Sequence, residues 1–189
     1  MCGQAFRWRK DEDTYTGVVK GHVLKLRQEG DSIEVKGYPN EGLEALITDY
    51  LDLSKDYRGI EDKVSSFDNY LAAAVEFGRG LRLLRQDPWE CLISFIISAR
   101  NNIPSIRRTI EAISMRYGDK YEFEGESYYL FPTPAQLSQA SLEDLSECGA
   151  AFRGKYILET VKRVFDSGID IEAFRDMEFK EARKALMEF

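Results

Sequence analysis

The chain has 189 residues, of which 43% are hydrophobic and 31% charged, with a formal net charge of −7. That length supports one substantial core or two modest domains. The apolar runs are far too short for a membrane span, and Met1–Gln4 carries neither the basic nor the apolar region of a secretory signal. Three cysteines without close spacing and a single histidine argue against a disulfide framework and against a metal site, so a cytosolic or nuclear setting fits best.

Residues 5–38 alternate with β periodicity. Short strands are expected at Phe6–Arg9, Tyr15–Val19, His22–Arg27 and Ser32–Tyr38, with Lys20-Gly21 as a two-residue hairpin turn. A helix follows at about 41–53, with Leu43, Leu46, Ile47, Tyr50 and Leu51 on one face. From about residue 55 the β signal nearly vanishes. Asp87-Pro88-Trp89-Glu90 is a strong helix start, with a capping Asp, Pro in the first turn and Glu three residues after the cap. The run Cys91–Ala99 is apolar nearly all round and predicts a central, buried helix with Cys91 in the core. Further helices are expected from Ile103 to about Tyr117, from Ser141 to near Gly149, over 152–167 and over 178–188, with a small hairpin in Tyr121–Leu130. The fold class is α+β: an antiparallel sheet domain over 1–54, then a mostly helical domain over 55–189.

A negative total charge argues against nucleic-acid binding, but the charge is uneven. Residues 1–10 carry Arg7, Arg9 and Lys10 with no acid. Residues 100–117 carry four arginines against Glu111, and 152–163 carry Arg153, Lys155, Lys162 and Arg163 against Glu159. Each stretch nets +3, the footprint of a backbone-binding surface or of ordinary solvated faces. Gly78-Arg79-Gly80 lacks the context of a phosphate loop, and His22 has no nucleophile partner; its simplest reading is an exposed strand residue. The run Asp11-Glu12-Asp13 reads as a charge cluster beside a hairpin.

Three segments are more informative: Gly3-Gln4-Ala5-Phe6-Arg7-Trp8, the run GLRLLRQDPWECLISFIISARNNI from Gly80 to Ile103, and GAAFRGKYI from Gly149 to Ile157. In this order and spacing they resemble the 8-oxoguanine DNA glycosylases of the helix–hairpin–helix superfamily, and the resemblance covers nearly the whole chain. It implies base-excision repair by flipping of the damaged base out of duplex DNA containing 8-oxoguanine, with no cofactor or metal. The chemical problem is discrimination: guanine N7 is an acceptor, whereas N7 of 8-oxoguanine carries a hydrogen. A fixed backbone carbonyl bonds the lesion and repels the normal base. The family uses the glycine carbonyl of its G-Q-x-F-R-W motif, matched here by Gly3; the plainer reading of Gly3 is a turn before the first strand. Phe6 and Trp8 alternate with arginines and read as structural.

The resemblance also implies that Arg100-Asn101-Asn102 enters the gap left by the flipped base. The family has Asn where this chain has Arg100, and better-known eukaryotic members have Arg where it has Ser105. Both departures put the preference for an opposite cytosine in doubt. Asn101 and Asn102 contact phosphate or cap the next helix. Phe152 matches an aromatic that wedges beside the orphaned base, or else packs in the core, and Arg153 matches an arginine that donates to the orphaned cytosine. In the family a Lys after a Gly-rich hairpin forms a Schiff base with the sugar, and an Asp some twenty residues later completes the site. Neither is found before Phe189, so this chain is expected to be inactive alone, to carry the reading part of the enzyme, and to self-associate through exposed apolar surface. A non-catalytic DNA-binding fragment and an alkylpurine-type glycosylase are the alternatives.

Overall fold

The computed structural model describes residues 5–30 and 32–189. Gly3 lies outside the described residues. The described residues divide into two compact units: one spans Glu41–Arg85, the other residues 5–40 and Gln86–Phe189. These limits lie elsewhere than the composition shift near residue 54.

The second unit opens with an antiparallel meander in the order β1 (Trp8–Asp11), β2 (Thr14–Val19), β3 (His22–Glu29), β4 (Ser32–Tyr38). Lys20 and Gly21 both have positive φ, 45° and 78°, as a type I′ turn demands, and they set Val19 opposite His22. The first strand begins two residues later than its alternation suggests. Its register is fixed by Trp8 facing Gly17, where a Cβ would sit 2.5 Å from the indole; only glycine leaves room for the ring. Trp8 is buried, and Phe6 packs against the helical core.

The first unit contains α1 (Leu43–Tyr50), α2 (Tyr57–Ser65) and α3 (Asn69–Phe77). Asp56 and Asp68 cap α2 and α3 by accepting from Gly59 N and Leu71 N. Buried Asp52 organises the return of the chain: it accepts from the Tyr57 hydroxyl (3.0 Å) and Arg85 Nε (2.9 Å), and its carbonyl accepts from Arg82 (3.2 Å).

The helices that follow are α4 (Pro88–Ser98) and α5 (Ile103–Tyr117), then a hairpin of β5 (Lys120–Phe123) and β6 (Glu126–Tyr129), then α6 (Pro134–Leu137), α7 (Leu142–Glu147), α8 (Gly154–Ser167) and α9 (Phe179–Leu186). One core joins Ile93 and Ile97 of α4, Ile106, Ile110 and Ile113 of α5, Leu137, Leu145, and Ile157 and Val161 of α8. Gly154 lets α8 approach α7: a Cβ there would lie 3.0 Å from Leu142 Cδ1 and 3.3 Å from Leu145 Cβ. The hairpin ties the sheet on, with Tyr128 packed on Val18 and Val23 and with Lys25–Glu124 and Arg9–Glu126 ion pairs at 2.6 and 3.0 Å.

The α+β class holds. Two details of α4 differ from expectation: Cys91 is only half-buried, and Phe95 is half-exposed, so this helix is not covered all round. Among the described residues no helix is long and apolar enough to cross a membrane.

Candidate nucleic-acid interface

Two turns meet at the end of α4 and the start of α8. The first runs from Ala99 to Asn102. The last carbonyls of α4 have no partner within the helix and must find one outside it. The Ser98 hydroxyl donates to Phe95 O (2.7 Å), Ala99 N to Ile96 O (3.3 Å), the Asn101 side chain to Ile97 O (3.1 Å) and Asn101 N to Ser98 O (3.1 Å). Asn102 Oδ1 then accepts from Ser105 N at 3.0 Å and caps α5, whose Pro104 fits the first turn. Both asparagines therefore build the turn. Arg100 is exposed and has φ 51°, a left-handed conformation for a residue with a full side chain.

The second turn runs from Cys148 to Arg153. Gly149 has φ 89° and ends α7 in a Schellman arrangement: Ala150 N donates to Leu145 O and Gly149 N to Ser146 O, each at 2.9 Å. The buried Thr109 hydroxyl of α5 donates to Gly149 O at 3.3 Å, so both turns are anchored to one helix. Ala151 also has a positive φ, 50°, and the chain makes a 3-10 turn over Ala151–Arg153.

This geometry separates Phe152 from Arg153. Phe152 is 54% exposed and is not a core residue, whereas Arg153 is only 6% exposed. Arg153 Nε donates to Ala99 O at 2.8 Å and Nη2 to Arg100 O at 3.0 Å, and its guanidinium lies 4.5 Å from the Phe152 ring centroid. The structure thus brings Arg100, Phe152 and Arg153 together, with Ile103, Lys155 and Tyr156 exposed on the elements beside them. Arg107 and Arg108 are exposed farther along α5. Arg116 turns away to Asp144 and Glu147, and Arg163 donates to Glu188 O, so neither adds to a free basic stripe.

The first and second sequence motifs meet at the first turn of α4. Alternation places Arg7 outside, but its side chain is 4% exposed; it donates to Tyr129 O and lies 3.9 Å from Glu90. Arg7 Nε and Nη1 are buried without a hydrogen-bond partner. Burial pushes the Glu90 carboxyl up to about 7; Arg7 opposes the rise and Asp87 adds to it. Sequence reasoning missed the Arg7–Glu90 pair, the Thr109 anchor and the inward turn of Arg153. The Schellman stop was readable from the Gly149 that follows the short capped helix.

A small sheet joined to a helical core is the fold this chain shares with solved DNA glycosylases. The 3-methyladenine DNA glycosylase of Archaeoglobus fulgidus shares this fold with a TM-score of 0.77 at 22% identity, covering 96% of this chain and 65% of that one. More particularly, residues 1–92 match the 8-oxoguanine DNA glycosylase N-terminal domain, and the chain belongs to the 8-oxoguanine DNA glycosylase family. It is 32% identical to the N-glycosylase/DNA lyase OGG1 of Arabidopsis thaliana over 84% of this chain. It is 38% identical, with a TM-score of 0.93 and full coverage of this chain, to the Clostridium acetobutylicum 8-oxoguanine glycosylase/lyase solved with double-stranded DNA containing cytosine opposite 8-oxoG. The chain spans 45% of the Arabidopsis relative's length and 65% of the clostridial chain.

Proposed function

We propose that this protein acts in base-excision repair, recognising and excising 8-oxoguanine from duplex DNA, and that this chain carries the parts that read the lesion and the opposite strand. The observation that carries the proposal is the surface where the two turns meet. A half-exposed Phe152 and an exposed Arg100 stand on turns held by two helix ends and one buried arginine. An aromatic that projects from a rigid turn wedges into a base stack, and an arginine beside it fills the space a flipped base leaves and hydrogen-bonds its former partner. Asn101 and Asn102 serve this surface by shaping the turn.

Gly3 is assigned the lesion itself, its carbonyl accepting the N7 hydrogen that guanine lacks; this rests on its place in the motif. Arg107 and Arg108 supply phosphate contacts and charge along the backbone. The nucleophilic Lys and its Asp partner are assigned to sequence not contained in these 189 residues, so the glycosylase and AP-lyase steps belong to the whole enzyme. The protein works where the DNA is, in a nucleoid or a nucleus. Alone, the chain self-associates through exposed apolar side chains such as Phe95, Phe179 and Met187.

Borohydride trapping on 8-oxoguanine duplex, run beside equilibrium binding to the same duplex, tests the proposal. Binding without a trapped adduct is expected. A trapped adduct would place the nucleophile within the chain, and absence of binding at low salt would remove the DNA-reading role.

A further inference from the structure

We propose that the groove between β1, β2, β6 and α5 is a phosphate-binding site, separate from the surface where the two turns meet. It takes the phosphate of a nucleotide, either in the backbone of the duplex arm beside the lesion or free in solution.

Three observations carry it. First, the groove has the size and lining of a site. Its volume is about 330 Å³, near the small end of ligand pockets. The floor is apolar, made by Phe6, Val18, Ile110 and Tyr128 with the Trp8 ring lying over Gly17. Secondly, cations crowd its mouth. Arg107 and Arg108 line it, are exposed, and make no hydrogen bond or ion pair among the described residues. Arg9 lines it too and is shared with Glu126, at 3.0 Å. One carboxylate, Glu111, stands among them. Such an excess runs against a net charge of −7 for the chain. Thirdly, a buried charge forms part of the wall. The Arg7 side chain is 4% exposed, and its Nε and Nη1 have no hydrogen-bond partner. Its ion partner Glu90, at 3.9 Å, is raised by burial to about 7, so at neutral pH it is ionised only part of the time. Salt screens a buried charge far less than an exposed one, so Arg7 adds positive potential to the groove.

Phosphate is the anion these groups suit. A guanidinium pairs with two phosphate oxygens at once, and the apolar floor is left for sugar and base. Arg107 and Arg108 lie five and six residues past the Asn102 cap, about 8–9 Å along α5. That is the rise of two to three nucleotides on one strand, so a duplex running along α5 from Arg100 brings a phosphate to the groove. The duplex as source rests on reading Arg100 and Phe152 as the surface that faces DNA; the site itself does not.

The test titrates the ¹⁵N-labelled chain with deoxyguanosine monophosphate, with inorganic phosphate and, as the uncharged control, with deoxyguanosine. The two tryptophan indole N–H signals are followed, since Trp8 lines the groove and Trp89 does not. Both phosphates should shift Trp8 saturably and leave Trp89 still, and the nucleoside should shift neither. Arg107→Ala with Arg108→Ala should weaken nucleotide binding about tenfold, and Glu111→Gln should strengthen it about threefold. All three residues are exposed, so the fold is kept. No saturable shift with either phosphate, an equal response to the nucleoside, or affinities untouched by these variants would overturn the proposal. A salt series on undamaged duplex then separates the sources. A slope lowered by about 1 for each arginine removed puts the duplex backbone in the groove. An unchanged slope beside intact nucleotide binding makes a free nucleotide its occupant. Because the nucleotide titration involves neither Arg100 nor Phe152, its failure and that of the DNA-reading surface are told apart.

Discussion

Replacing Glu90 by Gln should stabilise the protein at alkaline pH and leave it unchanged in acid. Glu90 follows the Asp87 cap on α4, and its side chain is 22% exposed and 3.9 Å from Arg7. Its carboxyl rises from an ordinary 4.5 to about 7 in the folded chain, first because burial disfavours the charge. Between these values the folded state binds a proton that the unfolded state does not. Stability therefore falls as pH climbs through this window, and the whole cost is present above pH 7. The size is about 3.5 kcal/mol at most, from about 1.4 kcal/mol per pH unit, and the exposed fifth of the side chain lowers it. The opposing attraction of Arg7 is already contained in the value of about 7. Gln mimics the protonated acid at every pH, so the variant loses the slope. Urea unfolding between pH 5 and pH 9, followed by the fluorescence of Trp8 and Trp89, measures it. A wild-type stability flat from pH 5 to pH 8, or a Gln variant less stable than wild type at pH 8, would refute the reasoning.

Gly154→Ala should cost about 1–3 kcal/mol in urea unfolding, because its Cβ would press on Leu142 and Leu145 where α7 and α8 approach. Ser141→Ala removes the side chain that accepts from Asp144 N, and should lower stability by about 1 kcal/mol. Arg107→Ala and Arg108→Ala should each reduce the slope of log affinity against log salt by about 1, equally for lesion and undamaged duplexes, which fluorescence anisotropy over a salt series reads directly.

The elements with strong punctuation are legible in the sequence: the Lys20-Gly21 turn, the Asp87-Pro88 helix start and the Gly168 stop all fall where their chemistry places them. Helices α2 and α3 were missed although Asp56 and Asp68 are serviceable caps and Tyr57, Ile60 and Val64 recur at helical spacing along α2. Helix α6 was missed although Thr133 and Gln136 form a capping box. At the interface, residue identities were legible but not directions. Alternation put Arg7 outside; the fold buries it. Local sequence left Phe152 between wedge and core, and only the turn of 149–153 exposes it while drawing Arg153 inward. Such directions depend on contacts between residues more than fifty positions apart, as between Arg153 and Ala99, to which periodicity is blind.

The claim that this surface reads damaged duplex is tested most directly by equilibrium binding of wild-type and Phe152→Ala chains to two duplexes differing only in 8-oxoguanine or guanine opposite cytosine. Tighter binding to the lesion duplex by the wild type is expected, and weaker binding to both duplexes by the variant with its fold intact. Equal affinity of the wild type for the two duplexes, or affinities untouched by removing Phe152, would contradict it.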